Sequence, residues 1–165
     1  MKYVPISPHN RQQINAFISQ HWFTTEMVIL DEIVDMTAAE GIAAMDGDEI
    51  MGVVTYRVSG EVFEITSLDS LREGGGIGTA LLDQVIAIAR KANCHKVSLI
   101  TTSDNIHAIR FYQKRGFDLV TLHHDSIKQA RRLKPEIPLI KQNGIPIRHE
   151  LEFELCLDGQ VFKSN

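Results

Sequence analysis

The chain has little cysteine. Only Cys94 and Cys156 occur in 165 residues, and no Cys-x-x-Cys pair is present. That excludes a disulfide framework and the common zinc-ribbon spacings. No run approaches the ~20 apolar residues of a bilayer-spanning helix, so no membrane partner is expected. The opening MKYVPISPHNRQQIN has no apolar stretch longer than Tyr3–Ile6. This is too short for the core of a secretory signal, and the expected compartment is the cytoplasm. A basic excess is also missing: 17 Lys+Arg face 21 Asp+Glu, a net charge of −4. Proteins that coat nucleic acid carry the opposite footprint, so nucleic acid is not an expected partner. Two phosphate-loop patterns fail as well. Gly-Lys-Ser/Thr does not occur, and Leu81 stands where a third glycine would complete Gly76-x-Gly78 as GxGxxG.

What is present fits an ordered globule. The hydrophobic share is 44% and the charged share 23%. The length suits a single domain over residues 1–165. Met1–Ile6 reads as a short strand. Ser7-Pro8 reads as a helix start, followed by Ile14, Phe17, Ile18 and His21 on one helical face. Residues 23–40 show no clean period. Asp46-Gly47 and Ser59-Gly60 are turn signals in a meander of three strands: Gly41–Met45, Ile50–Val58 and Glu61–Leu68. In the last of these, Val62, Glu64, Thr66 and Leu68 alternate onto one face. After it, Leu81, Val85, Ile88 and Ala92 mark a helix that stops near Asn93. Lys96–Thr101 is a strand, Asn105–Arg115 a helix closed by Gly116, and Phe117–Leu122 another strand. Residues 125–147 hold one short helical pattern and a loop with Pro135, Pro138, Gly144 and Pro146. Residues 148–157 form a final strand, half exposed because Glu150, Glu152 and Glu154 alternate with apolar residues.

Two features carry chemistry. Glu73-Gly74-Gly75-Gly76-Ile77-Gly78 lies between a strand and a patterned helix. Consecutive glycines uncover backbone N–H groups, and at a helix N-terminus such groups bind phosphate. A tight strand-to-helix turn explains the glycines equally well. The second feature is Asn105, Ala108 and Tyr112, spaced i, i+3 and i+7 on one narrow helical stripe. Taken alone, this stripe reads as a capping Asn and a half-buried Tyr.

Together, GGGIGTALL and NIHAIRFYQKRGF resemble the GCN5-related N-acetyltransferase (GNAT) family over roughly residues 2–122 and the final strand. The resemblance implies an α/β (α+β) fold: a mixed, mostly antiparallel sheet flanked by helices. It implies acetyl-CoA as acyl donor, and transfer of the acetyl group to a primary amine by direct attack in a ternary complex. Gly74, Gly75, Gly76, Ile77, Gly78 and Thr79 would cradle the diphosphate. Ser67, Leu68 and Asp69 would line the pantetheine arm and Asn105 would contact it. Tyr112 would protonate the leaving thiolate. The family usually has Gln or Arg where Glu73 stands, so help from a side chain is not expected at that corner. Leu68 N–H is the expected oxyanion donor, and Glu64, taken to share the face of Leu68, the expected base, with water as the alternative relay. Trp22, Phe23 and Met27 are expected to line the acceptor pocket.

The acceptor class left open is a small-molecule or peptide amine. Residues 125–147 would either wall its site or act as the arm of a homodimer. The alternative to an enzyme is a non-catalytic CoA-binding or regulatory module on the same fold. His123, His124, Asp125 and His149 match no recognised metal spacing and read as surface groups; no metal is expected. Lys128, Arg131, Arg132 and Lys134 read as a solvated basic face.

Overall fold

The computed structural model describes residues 1–22 and 24–159. The chain begins with strand β1 (Lys2–Pro5) and helix α1 (Arg11–Trp22). The helix starts later than Ser7-Pro8 implied. Ser7 instead opens a turn in which its N–H donates to Asn10 Oδ1 at 2.7 Å. The ambiguous stretch is a hairpin, β2 (Glu26–Ile29) and β3 (Glu32–Asp35), followed by one 3-10 turn, Met36–Ala38. The meander is β4 (Glu40–Asp46), β5 (Glu49–Ser59) and β6 (Val62–Ser70). Then come α2 (Ile77–Lys91), β7 (Lys96–Thr102), α3 (Ile106–Gln113), β8 (Asp118–His123), α4 (Ile127–Leu133) and β9 (Glu150–Cys156).

Seven strands form one sheet in the order β1-β4-β5-β6-β7-β9-β8. Only β6 and β7 pair in parallel. On one face Phe63, Ile65, Val85, Leu81, Tyr112 and Phe153 gather in the larger core, beneath α2 and α3. On the other, Ile14, Phe17 and Ile18 of α1 pack with Met36, Ala43 and Val53. The hairpin lies on this second face. Val28 of β2 packs against Ile127, Ala130 and Ile147, so α4 and its loop cover the same side.

One irregularity governs the middle of the sheet. Thr55 opposes Ser67 while Tyr56 opposes Ile65, which leaves Thr66 as an extra residue in β6. Such a bulge shifts the alternation by one and bends its strand. Glu64 therefore shares a face with Arg57, Ser67 and Asp69, whereas Leu68 faces the α2 side opposite Val54. The expected common face of Glu64 and Leu68 is overturned, because a strict two-residue period holds only in an unbulged strand.

Gly52 of β5 lies opposite Ser70 at the far end of β6. A Cβ there would meet Asp69 C=O at 2.7 Å, Ile77 Cγ2 at 3.0 Å and Leu81 Cδ1 at 3.1 Å. Backbone and core cannot all give way, so Gly52→Ala should lower the unfolding free energy by about 1–3 kcal/mol, as overpacking does. Urea unfolding followed by circular dichroism measures it; an unchanged midpoint would show that the sheet end yields freely.

Candidate active site

The parallel pairing of β6 with β7 ends early. It runs from Val62↔Lys96 to Ile65↔Leu99 and stops at the bulge. Beyond it β6 continues to Ser70 and β7 to Thr102, unpaired with each other while each keeps its outer neighbour. The sheet is open between them. Leu71 N–H donates to Met51 C=O at 2.9 Å. By strand alternation, Leu68 and Ser70 turn their N–H groups the other way, into the opening. These are the free donors that an extended ligand or a developing oxyanion requires.

At the end of β6 the glycine turn leads into α2. Gly74 (φ +74°) and Gly76 (φ +76°) adopt the left-handed conformation, Gly76 as the N-cap residue of α2. A Cβ on Gly74 or Gly76 would meet nothing within 4 Å, so the requirement there is conformational. At Gly78 a Cβ would lie 3.4 Å from the Phe111 ring, so this glycine lets α2 approach α3. The first N–H groups of α2 have no intrahelical partner, and the helix dipole adds to their pull on an anion. Glu73 is exposed in this turn. Thr79 Oγ1 already accepts from Arg115, whose guanidinium lies 3.6 Å above the Phe111 ring.

Across the opening, Asn105 caps α3, its Oδ1 accepting from Ala108 N–H at 3.1 Å. Tyr112, one turn and more along, is buried, with Phe111, Phe117 and Phe153 around its ring. Burial pushes its phenol well above the usual range, and the Asp69 carboxylate adds to the shift. It therefore stays protonated throughout the neutral range. Asp69 lies on the α1 side of β6, where Trp22 Nε1–H donates to its Oδ2. Burial raises its carboxyl above the ordinary range; the Trp22 hydrogen bond and the nearby His21 act in the opposite direction. Glu64 is committed elsewhere. Arg57 Nε bonds its carboxylate while the same guanidinium grips Glu32 at 2.8 and 2.9 Å, anchoring the hairpin to the sheet. Met27 is buried among the α1 core residues, and Phe23 lies outside the described residues.

Two further readings change, and one gains a geometric detail. Glu150 is not half exposed: it is 2% accessible and accepts from Leu30 N–H at the hairpin tip at 3.0 Å. The basic group of α4 is only partly a solvated face. Arg131 bonds the carbonyls of Ile137, Pro138 and Ile147, and Lys134 bonds that of Glu26. His124, Asp125 and His149 bring ligand-type atoms within 4.8 Å of one another, which strand alternation alone did not foresee. Asp125, at φ +55° beyond the strand, makes this turn; its carboxylate is paired with Arg148 at 2.9 Å, and its N–H donates to His149 Nδ1.

A sheet opened at a bulge, with a glycine turn and helix N-terminus at its mouth, defines an acetyltransferase-like class of fold. The model of the acetyltransferase (GNAT) family matches residues 9–117. The chain belongs to this family. It is 43% identical over 159 residues to the uncharacterized protein YdhI of Bacillus subtilis (strain 168), covering 96% of this chain and 99% of that one. A crystal structure of a Bacillus subtilis acetyltransferase in complex with CoA superposes with TM-score 0.67 at 21% identity, covering 94% of this chain and 98% of the other. A GNAT family acetyltransferase from Elizabethkingia anophelis with acetyl-CoA bound gives TM-score 0.68 at 20% identity, with 94% and 97% coverage.

Trp22→Phe removes the donor that favours the charged form of Asp69, so the Asp69 pKa should rise further. Carboxyl-selective NMR titration of the two proteins tests the sign. A pKa that falls or stays fixed in the variant would show that the indole does not set it.

Proposed function

We propose that the protein transfers the acetyl group of acetyl-CoA to a primary amine by direct attack in a ternary complex. The observation that carries this reading is the early end of the β6–β7 pairing, which leaves inward-turned N–H groups beside a helix N-terminus. The diphosphate sits on the amides of Gly74, Gly75, Gly76, Ile77, Gly78 and Thr79. The pantetheine arm lies along Ser67, Leu68 and Asp69 as a surrogate strand, and the Asn105 amide group contacts it. That two structural neighbours hold CoA and acetyl-CoA supports acetyl-CoA as the acyl donor.

The amine enters from the α1 side, beneath the hairpin. Asp69 takes its proton, because burial and the Trp22 contact leave a carboxylate free at the opening, whereas Arg57 occupies Glu64. The neutral amine attacks the thioester carbonyl, and the oxyanion gathers at Leu68 N–H. Collapse breaks the C–S bond. The Tyr112 hydroxyl gives its proton to the departing thiolate, and the proton shed by the new amide nitrogen restores the phenol. No cysteine lies at the opening to form an acyl-enzyme, for Cys94 is buried ahead of β7 and Cys156 ends β9.

Free-thiol release from acetyl-CoA with a panel of amines tests the activity. Gly76→Asp keeps a residue type that tolerates φ > 0 yet sets a negative charge in the diphosphate seat. Calorimetry should show CoA affinity falling at least tenfold with the circular dichroism spectrum retained. Unchanged affinity would remove the turn from the site.

Tyr112→Phe keeps the ring and removes the proton. Its kcat should fall by about 10²–10⁴-fold, the range of general-acid contributions, while CoA affinity holds. The loss should shrink with an acyl donor whose thiol is more acidic. Normal turnover in the variant would leave Tyr112 a packing residue.

A further inference from the structure

The α1 side of the opening carries a carboxylate that the transfer reaction does not use. Glu150 stands at the start of β9, opposite Thr102 of β7, where β7 has parted from β6. Glu150 is only 2% exposed to solvent. One oxygen accepts from Leu30 N–H at the hairpin tip at 3.0 Å, so the carboxylate lies between the sheet and the hairpin. The other oxygen, Oε2, has no hydrogen-bond partner among the described residues. A buried carboxylate oxygen left unpaired is costly, and buried charges are as a rule paired.

The tip end of the hairpin is tied at two points. Glu32 is fixed to Arg57, and through it to Glu64 of β6, while Leu30 is fixed to Glu150 of β9. The tip thus reaches from the last paired stretch of β6, where Glu64 lies opposite Ser98, to the start of β9 beside the parted end of β7. Beneath it the neighbouring acids are already matched: Glu64 with Arg57, Glu152 with His123 at 3.2 Å, and Glu154 with Lys96 at 2.5 Å. Two carboxylates on this side have no Lys or Arg partner among the described salt bridges. Asp69 accepts from the neutral indole of Trp22, with His21 nearby, and Glu150 accepts from one backbone N–H.

We propose that the acceptor carries two cationic groups: one amine reaches Asp69 and the thioester, and a second ammonium is bound by Glu150 Oε2 beneath the β2–β3 tip. The substrate class is a short aliphatic diamine or polyamine. This rests on the acetyltransferase reading above. The second group is not acetylated while it is held, because its protonated nitrogen has no lone pair to attack with. It supplies binding and sets the distance between the reacting nitrogen and the hairpin tip. A charge-assisted hydrogen bond to a buried carboxylate is the strong kind, and discrimination of about tenfold or more follows.

The test compares straight-chain diamines with monoamines of equal length, for example 1,4-diaminobutane with butylamine, by thiol release from acetyl-CoA. Wild-type kcat/KM should favour the diamine by about tenfold or more. Glu150→Gln keeps an oxygen for Leu30 N–H and removes the charge, and the diamine-to-monoamine ratio should collapse towards one, through KM. Calorimetry of CoA binding reports whether the variant is folded. Calorimetry of 1,4-diaminobutane against butylamine on the wild-type CoA complex gives a second reading that needs no variant. Equal use and equal binding of the two amines by the wild type would overturn the proposal while leaving acetyl transfer standing. A preference that survives Glu150→Gln would overturn it too. Glu150-dependent diamine binding without thiol release would support it and instead sink the catalytic reading.

Discussion

Thr66 is one residue too many for the strand it occupies, and the site depends on how that surplus is absorbed. The Thr55 hydroxyl contacts the hydroxyls of both Thr66 (2.8 Å) and Ser67 in the α1-side interior. Three buried hydroxyls satisfy one another there, and Met36 Sδ lies 3.4 Å from Thr55 Oγ1. Hydroxyls left unpaired at such a place would cost a few kcal/mol, so the cluster stabilises the bulged arrangement against a regular one. With the bulge in place β6 bends away, its ladder to β7 ends at Ile65, and a row of backbone donors is left without a partner strand.

The same displacement sorts the side chains. Leu68 goes to the side of α2 and α3, with Tyr112; Asp69 goes to the side of α1 and the hairpin, with Trp22. The Tyr112 phenol and the Asp69 carboxyl thus stand on opposite faces of one opening. Burial acts on both groups towards protonation: it keeps the Tyr112 phenol protonated at neutral pH and makes Asp69 more basic than an ordinary surface carboxylate.

The covering elements are held by polar ties and by apolar contacts together. Glu32–Arg57–Glu64 and Leu30 N–H both tie the tip end of the hairpin, while Arg131 of α4 and Lys134 just past it bond backbone carbonyls of the 137–147 loop and of β2. Apolar contacts add to them: Met27 is buried in the α1 core with Val34 packed against it, and Ile127, Ala130 and Ile147 meet Val28 and Ile137.

Local chemistry made much of the molecule legible in the sequence. Asp46-Gly47 and Ser59-Gly60 sit at hairpin turns because φ > 0 at Gly47 (+60°) and Gly60 (+59°) is a local demand. The periodic stripe of α2, the glycine turn before it and the Asn105 cap are likewise short-range, and they led to the family. The hairpin at 26–35 was not legible: its strands are four residues each, too short for a period to declare itself. Nor was the bulge. Nothing in VFEITSLDS marks Thr66 as surplus, since only pairing with β5 counts residues across a ladder. Strict alternation therefore places Glu64 on the face of Leu68, and only the tertiary pairing moves it away. Burial of Glu150 was decided in the same way: alternation with apolar neighbours gives a residue its face, but whether that face meets water depends on a hairpin 120 residues away in sequence. The sequence determined the elements and the glycine turn, because those are contracts between near neighbours. Which carboxylate is free, which is tied and which is roofed over follows from long-range packing, and only the fold decides it.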